Sequence, residues 1–146
     1  MKQEGYTLVE MLAVVLLIGI VCLGSMLSVK LAQKARFCAQ VQEVERGIIF
    51  ARDTATMTGD QYNTYCFSNR VLVRQGCEKP IYTIRLSEGT YIPDTITGKW
   101  IRFNGTMASP QTGTITLVCE DIGLKADITV RIATGKTTIK WYTIQC

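Results

Sequence analysis

Histidine is absent from all 146 residues. Imidazole general bases, Ser-His and Cys-His nucleophile pairs and His-ligated metal sites are thereby excluded. The six cysteines never fall in Cys-x-x-Cys spacing, so a zinc knuckle or a dithiol redox motif is not expected. Carboxylates are sparse as well, 12 Asp plus Glu against 16 Lys plus Arg, for a formal charge of +4. Asp53, Asp60, Glu88, Asp94, Glu120, Asp121 and Asp127 occur singly or near turns rather than as a pair fit for acid–base work. Glu120 and Asp121 followed by Asp127 do not have the ligand spacing of a calcium loop. Internal repeats and low-complexity segments are also missing. No catalytic residue, metal ligand set or cofactor is therefore expected, and an enzyme is not the reading.

Charge is missing most conspicuously near the N-terminus, where the stretch from Tyr6 to Val29 carries only Glu10. From Met11 to Val29 there are 19 uncharged residues, roughly 28 Å at helical rise and close to the roughly 30 Å of a bilayer's hydrocarbon core. A cleavable secretory signal would show a positive n-region, a shorter apolar stretch and a small-residue cleavage site behind it. Here only Lys2 precedes the run, Glu10 sits at its edge, and the run closes with Gly24, Ser25, Met26, Leu27 and Ser28. A retained membrane helix is the expectation. By themselves, Lys30, Lys34 and Arg36 behind it place that side in the cytoplasm.

What is present divides at about residue 60. Apolar residues continue at helical spacing through Leu31, Ala35, Cys38, Val41, Val44, Ile48, Ala51 and Ala55, predicting one helix of about fifty residues whose second half has a single apolar stripe. Thr58-Gly59-Asp60 supplies the glycine that ends it. Beyond Gln61 the period becomes two. Strands are predicted at Tyr62–Phe67, Arg70–Arg74, Ile81–Leu86, Lys99–Phe103, Thr114–Cys119, Asp127–Ile132 and Thr138–Ile144, with turns at Ser68-Asn69, Gln75-Gly76, Asn104-Gly105 and Thr134-Gly135-Lys136. The fold class is α+β, an antiparallel sheet covered by the striped half of the helix. At this length the chain has room for one modest core.

The residues ahead of the apolar run read Gly5-Tyr6-Thr7-Leu8-Val9-Glu10-Met11. This resembles the processing site of the type IV pilin superfamily. The resemblance implies a type IV pilin fold and a membrane-embedded prepilin peptidase that cuts after Gly5. It implies methylation of the new N-terminal residue, Tyr6, and an assembly role for Glu10, with Thr7 beside it. The division that follows is a leader over 1–5, a transmembrane and assembly segment over 6–29, a packing helix over 30–58 and a β-sheet domain over 59–146. Physical chemistry agrees: a carboxylate in an apolar helix costs roughly 2.5–3.5 kcal/mol near a bilayer centre, less toward its edge, which favours pairing it with a cation. The α-amino group of Tyr6 on a neighbouring subunit would serve and would set the stagger between adjacent helices. Alternatively Glu10 lies among the headgroups and favours the helix N-terminus.

Farther along, Ile101–Gly105, Gly113–Leu117, Ile128–Ile132 and Thr134-Gly135-Lys136 resemble the GspH/FimT type of minor pseudopilin, with Lys136 where arginine is common in that type. The resemblance implies a low-abundance, non-catalytic subunit that primes or joins a pilus, a type II secretion pseudopilus or a competence filament. Its partners would be the peptidase, other pilins and the assembly platform. It also implies a cytoplasmic leader and a domain outside the cytoplasmic membrane, against the weak Lys30, Lys34, Arg36 signal. An oxidising exterior makes Cys66 with Cys77, and Cys119 with Cys146, candidate disulfides, leaving Cys38 as a buried thiol. The alternative that all stay reduced remains open. A second functional reading is DNA uptake at a filament tip, with Arg102, Arg131, Lys136 and Lys140 as candidate phosphate contacts near Trp141 and Tyr142. Against it, alternating Thr, Arg and Lys is what a solvated strand also shows.

Overall fold

The computed structural model describes residues 8–93, 100–105, 113–131 and 134–144, with the side chains of 23–27 outside that description. One continuous α-helix, α1, runs over Leu8–Thr58, and a short 3-10 turn covers Glu120–Ile122. The chain divides into two units, Met1–Ala35 and Arg36–Cys146. In the first unit every described side chain is exposed, apolar ones such as Leu8, Leu16 and Ile20 included. Among the described residues no helix is long and apolar enough to cross a membrane. Residues 23–27 lie inside the uncharged run of the sequence between Met11 and Val29.

In the second unit the helix has a closed apolar stripe. Phe37, Val41, Val44, Ile48, Ala51 and Ala55 recur at alternating steps of four and three and are all buried, the spacing that keeps side chains on one face. The stripe starts later than the sequence implies: Leu31 is 70% exposed and Ala35 is exposed too. Phe37, one helical turn before Val41, takes the place expected of Ala35. At the far end Gly59 adopts φ 78°, and its N–H donates to Ala55 O at 3.0 Å, the left-handed stop that glycine makes without steric cost.

The strands are β1 (Tyr62–Phe67), β2 (Arg70–Gln75), β3 (Pro80–Arg85), β4 (Thr90–Tyr91), β5 (Trp100–Phe103), β6 (Gly113–Cys119), β7 (Leu124–Val130) and β8 (Thr137–Thr143). They form two antiparallel four-stranded sheets, in the orders β3-β2-β1-β5 and β4-β6-β7-β8, rather than one. A period of two tells which side chains share a face but not which strand lies alongside. The two-residue β4 is too short to show any pattern. β7 starts three residues before its predicted start, because Leu124, Ala126, Ile128 and Val130 all lie on the inward alternation. Ile132, predicted to end that strand, lies outside the described residues.

Inward side chains of both sheets and the helix stripe make one apolar cluster: Tyr62, Cys66, Val71, Val73, Ile84, Ile101 and Phe103 from the first sheet, and Ile115, Leu117, Cys119, Ala126, Ile128 and Val130 from the second. Each large aliphatic or Phe side chain buried here contributes about 1.5–3 kcal/mol against leaving it in water. The helix reaches an edge strand of each sheet. Phe50 meets Tyr82 of β3 with ring centroids 6.2 Å apart, and Phe37 meets Trp141 of β8 edge-on at 6.1 Å. Thr137 Oγ1 donates to Glu45 Oε1 at 2.8 Å, and Arg52 Nη1 to Gly135 O at 3.3 Å.

Candidate functional site

Glu10 occupies the first turn of α1 and is exposed. A carboxylate there is favoured by the partial positive charge of the helix N-terminus. With Met11, Ala13 and Val14 it lines a shallow, largely apolar depression on the helix surface. Gly5, Tyr6 and Thr7, the other members of the processing and assembly motif, lie outside the described residues.

The four basic residues singled out in the sequence do not form one patch. Arg131 and Lys136 meet at the end of the β7–β8 hairpin, where Arg131 N–H donates to Lys136 O at 3.1 Å, and both side chains are exposed. Lys140 lies four residues along β8, directly opposite Asp127. Asp127 also accepts a hydrogen bond from Thr116 Oγ1 at 2.7 Å and lies 3.7 Å from Lys125 Nζ, so this face carries both signs of charge. Arg102 belongs to the other sheet, on β5, with its guanidinium 4.2 Å above the Trp100 ring.

Sequence reasoning missed Arg70, Arg74 and Arg85, which share the outer face of β3-β2-β1-β5 with Arg102. Tyr62, Cys66, Val71 and Val73 belong to the apolar cluster, so strand alternation turns Tyr65, Phe67, Arg70 and Arg74 to the other face, together with Asn63 and Leu72, which are themselves buried. Arg70 lies over the Phe67 ring at 5.2 Å and Arg74 over the Tyr65 ring at 5.6 Å, while Tyr65 and Trp100 stack with centroids 6.4 Å apart. Alternation within β1 and β2 was the available signal; the joining of β5 to β1 was not visible from spacing.

The candidate disulfide partners Cys66 and Cys77 are not brought together. In the register Cys66 opposes Val71 beside the Ser68-Asn69 turn, whereas Cys77 follows Gln75, which opposes Tyr62 at the open end. The two lie about four rungs, or ~13 Å, apart along the hairpin, beyond the reach of a disulfide without moving backbone. Both are free thiols, as are Cys38 and Cys119. Cys38 is half-buried and Cys77 exposed, whereas Cys66 and Cys119 are buried. Burial pushes the Cys66 thiol up to about 12 from its ordinary 9.0. Cys146 lies outside the described residues. At the other end of the second sheet, the Tyr91 hydroxyl donates to Glu120, and this hydrogen bond raises the tyrosine's pKa above its ordinary value.

Residues 1–26 match the family model described as the Prokaryotic N-terminal methylation motif. No curated protein and no solved structure matches the chain.

Proposed function

Because the chain carries a type IV prepilin-like N-terminal motif, we propose that it is a pilin-like precursor cut by prepilin peptidase after Gly5 and methylated on Tyr6. In this reading it is a structural subunit, anchored by residues 6–29 as a transmembrane segment in the cytoplasmic membrane. Its folded unit lies outside that membrane. The observation that carries the reading is the methylation motif over 1–26, set directly against the uncharged run from Met11 to Val29. In the filament, the Glu10 carboxylate pairs with the α-amino group of Tyr6 on the next subunit. Each group lowers the cost of placing the other in apolar surroundings.

The α+β body, a long helix followed by antiparallel sheets, is compatible with a pilin fold. The finer reading, a minor pseudopilin of the GspH/FimT type that primes or joins a pilus, secretion pseudopilus or competence filament, is supported by the Ile101–Gly105, Gly113–Leu117 and Thr134–Lys136 segments of the sequence. Its partners are the peptidase, other pilins and the assembly platform.

The test is intact mass and N-terminal sequence of the protein expressed with and without a prepilin peptidase. The proposal expects a product starting at N-methylated Tyr6, and a Gly5→Ala variant that stays whole. Recovery of an uncut chain in the presence of an active peptidase overturns it. Once cutting is established, Glu10→Ala is expected to be processed normally and yet to drop out of sheared filaments, as read by immunoblotting of the filament fraction.

A further inference from the structure

The outer face of β3-β2-β1-β5 is built differently from the outer face of the other sheet. None of its four strands contains Asp or Glu, yet it displays Arg70, Arg74, Arg85 and Arg102. Arg70 and Arg85 stand directly opposite each other in the β2–β3 register, and both are exposed. Like charges in that position are destabilising. Folding alone gives no reason to place them there, and an anion lying across both would remove the penalty. On the second sheet, by contrast, Lys125, Asp127 and Lys140 alternate in sign across neighbouring positions.

Three of the four guanidiniums are held by rings: Arg70 by Phe67, Arg74 by Tyr65 and Arg102 by Trp100. A guanidinium resting on a ring is oriented in advance; the Nε atoms of Arg74 and Arg102 are buried, so these two have only their terminal Nη groups to offer a phosphate. The upper plane of such a guanidinium remains a surface on which a nucleobase stacks. Among the described residues the sheet offers no protruding helix or ribbon to enter a duplex groove. A flat face of arginines interleaved with aromatics suits a strand whose bases are already unpaired.

We propose that this face binds single-stranded nucleic acid, with Arg70, Arg74, Arg85 and Arg102 on phosphates of one strand and the ring-backed guanidiniums carrying bases. The proposal does not depend on the N-terminal motif, and it uses a different sheet from Arg131, Lys136 and Lys140.

It is tested with the full-length protein in a non-ionic detergent. The probe is a fluorescein-labelled oligothymidylate longer than a site of roughly 4–16 nucleotides, followed by anisotropy across a salt series. Four neutralised phosphates give a slope of log affinity on log salt near about −2.8, falling to about −1.4 in Arg70→Gln/Arg85→Gln. Arg131→Gln/Lys136→Gln/Lys140→Gln should bind as the parent does. Arg85→Glu separates binding from folding, because facing Arg70 it should raise the unfolding temperature while weakening binding. Unchanged binding by Arg70→Gln/Arg85→Gln overturns the proposal. So does loss of binding in the β7–β8 triple variant, or equal competition by a duplex of the same length or by a sulfated polysaccharide.

Discussion

Cys66 and Cys77 share one hairpin and have opposite chemistry. Cys66 points into the apolar cluster, where its thiolate would lose hydration, and Cys77 sits on the surface. In the folded protein, a maleimide at neutral pH should label Cys77 rapidly and Cys66 only after denaturant is added, as read by peptide mapping; fast labelling of Cys66 would contradict its burial. The same residue gives a pH dependence. Below pH 9.0 the thiol is protonated whether the chain is folded or not, so its contribution is fully present. As pH rises from 9.0 toward about 12, only the unfolded chain releases the proton. Stability therefore falls across that window, by up to about 1.4 kcal/mol per pH unit from this group. Urea unfolding at pH 8, 9.5 and 10.5 should show a shallower decline in Cys66→Ala than in the parent. The register does not bring Cys66 and Cys77 together, for a physical reason. Eleven positions of separation say nothing of register, and the turn at Ser68-Asn69 puts one cysteine beside it and the other at the open end.

Among the elements, α1 was the most legible. Its length, its end at Thr58 and the stripe from Val41 to Ala55 follow from spacing and from one glycine. The stripe's beginning did not, because Leu31 and Ala35 fit the helical period as well as buried residues do; periodicity reports a face, not whether anything covers it. Ile48→Ala should cost about 2–5 kcal/mol in chemical denaturation, since the site is fully enclosed. Leu31→Ala, at an exposed position of the same helix, should stay within about 0.5 kcal/mol. A finer element-level contact joins the helix stop to the turn after β5. A Cβ on Gly105 would lie 2.8 Å from Gly59 Cα and 3.0 Å from Gly59 O. Backbone cannot swing aside as a side chain does, so Gly105→Ala should destabilise by about 1–3 kcal/mol. The turn at Asn104-Gly105 was readable in sequence; its packing against the helix stop was not, because that contact crosses more than forty residues of chain.

At the scale of the whole molecule, every member of the apolar cluster among the described residues lies at or beyond Phe37. A fragment starting at Lys30 should therefore fold by itself, with a denaturant midpoint matching that of the full chain measured in detergent. A large drop would show that the first unit adds stability. The α+β class could be read from the change of period near Gln61. The division into two sheets could not, since it depends on which strands are neighbours. The charge pattern was legible only in part for the same reason: counting Lys and Arg finds the excess, but which arginines share a face depends on pairing, with Arg70, Arg74 and Arg85 on β2 and β3 and Arg102 joining them only once β5 lies beside β1.

The interleaving of the two sheets bears on how the chain reaches this state. β4 joins the second sheet before β5 has joined the first, and the segment from β3 to β6 changes sheet three times. The β1-β2-β3 meander closes through short turns and suits early formation. β5 must then return to β1 over a long loop, and that loop's entropy is spent before its contacts repay it. Neither sheet can be finished from an unbroken stretch of chain, so the two should appear together in one slow kinetic phase rather than one after the other.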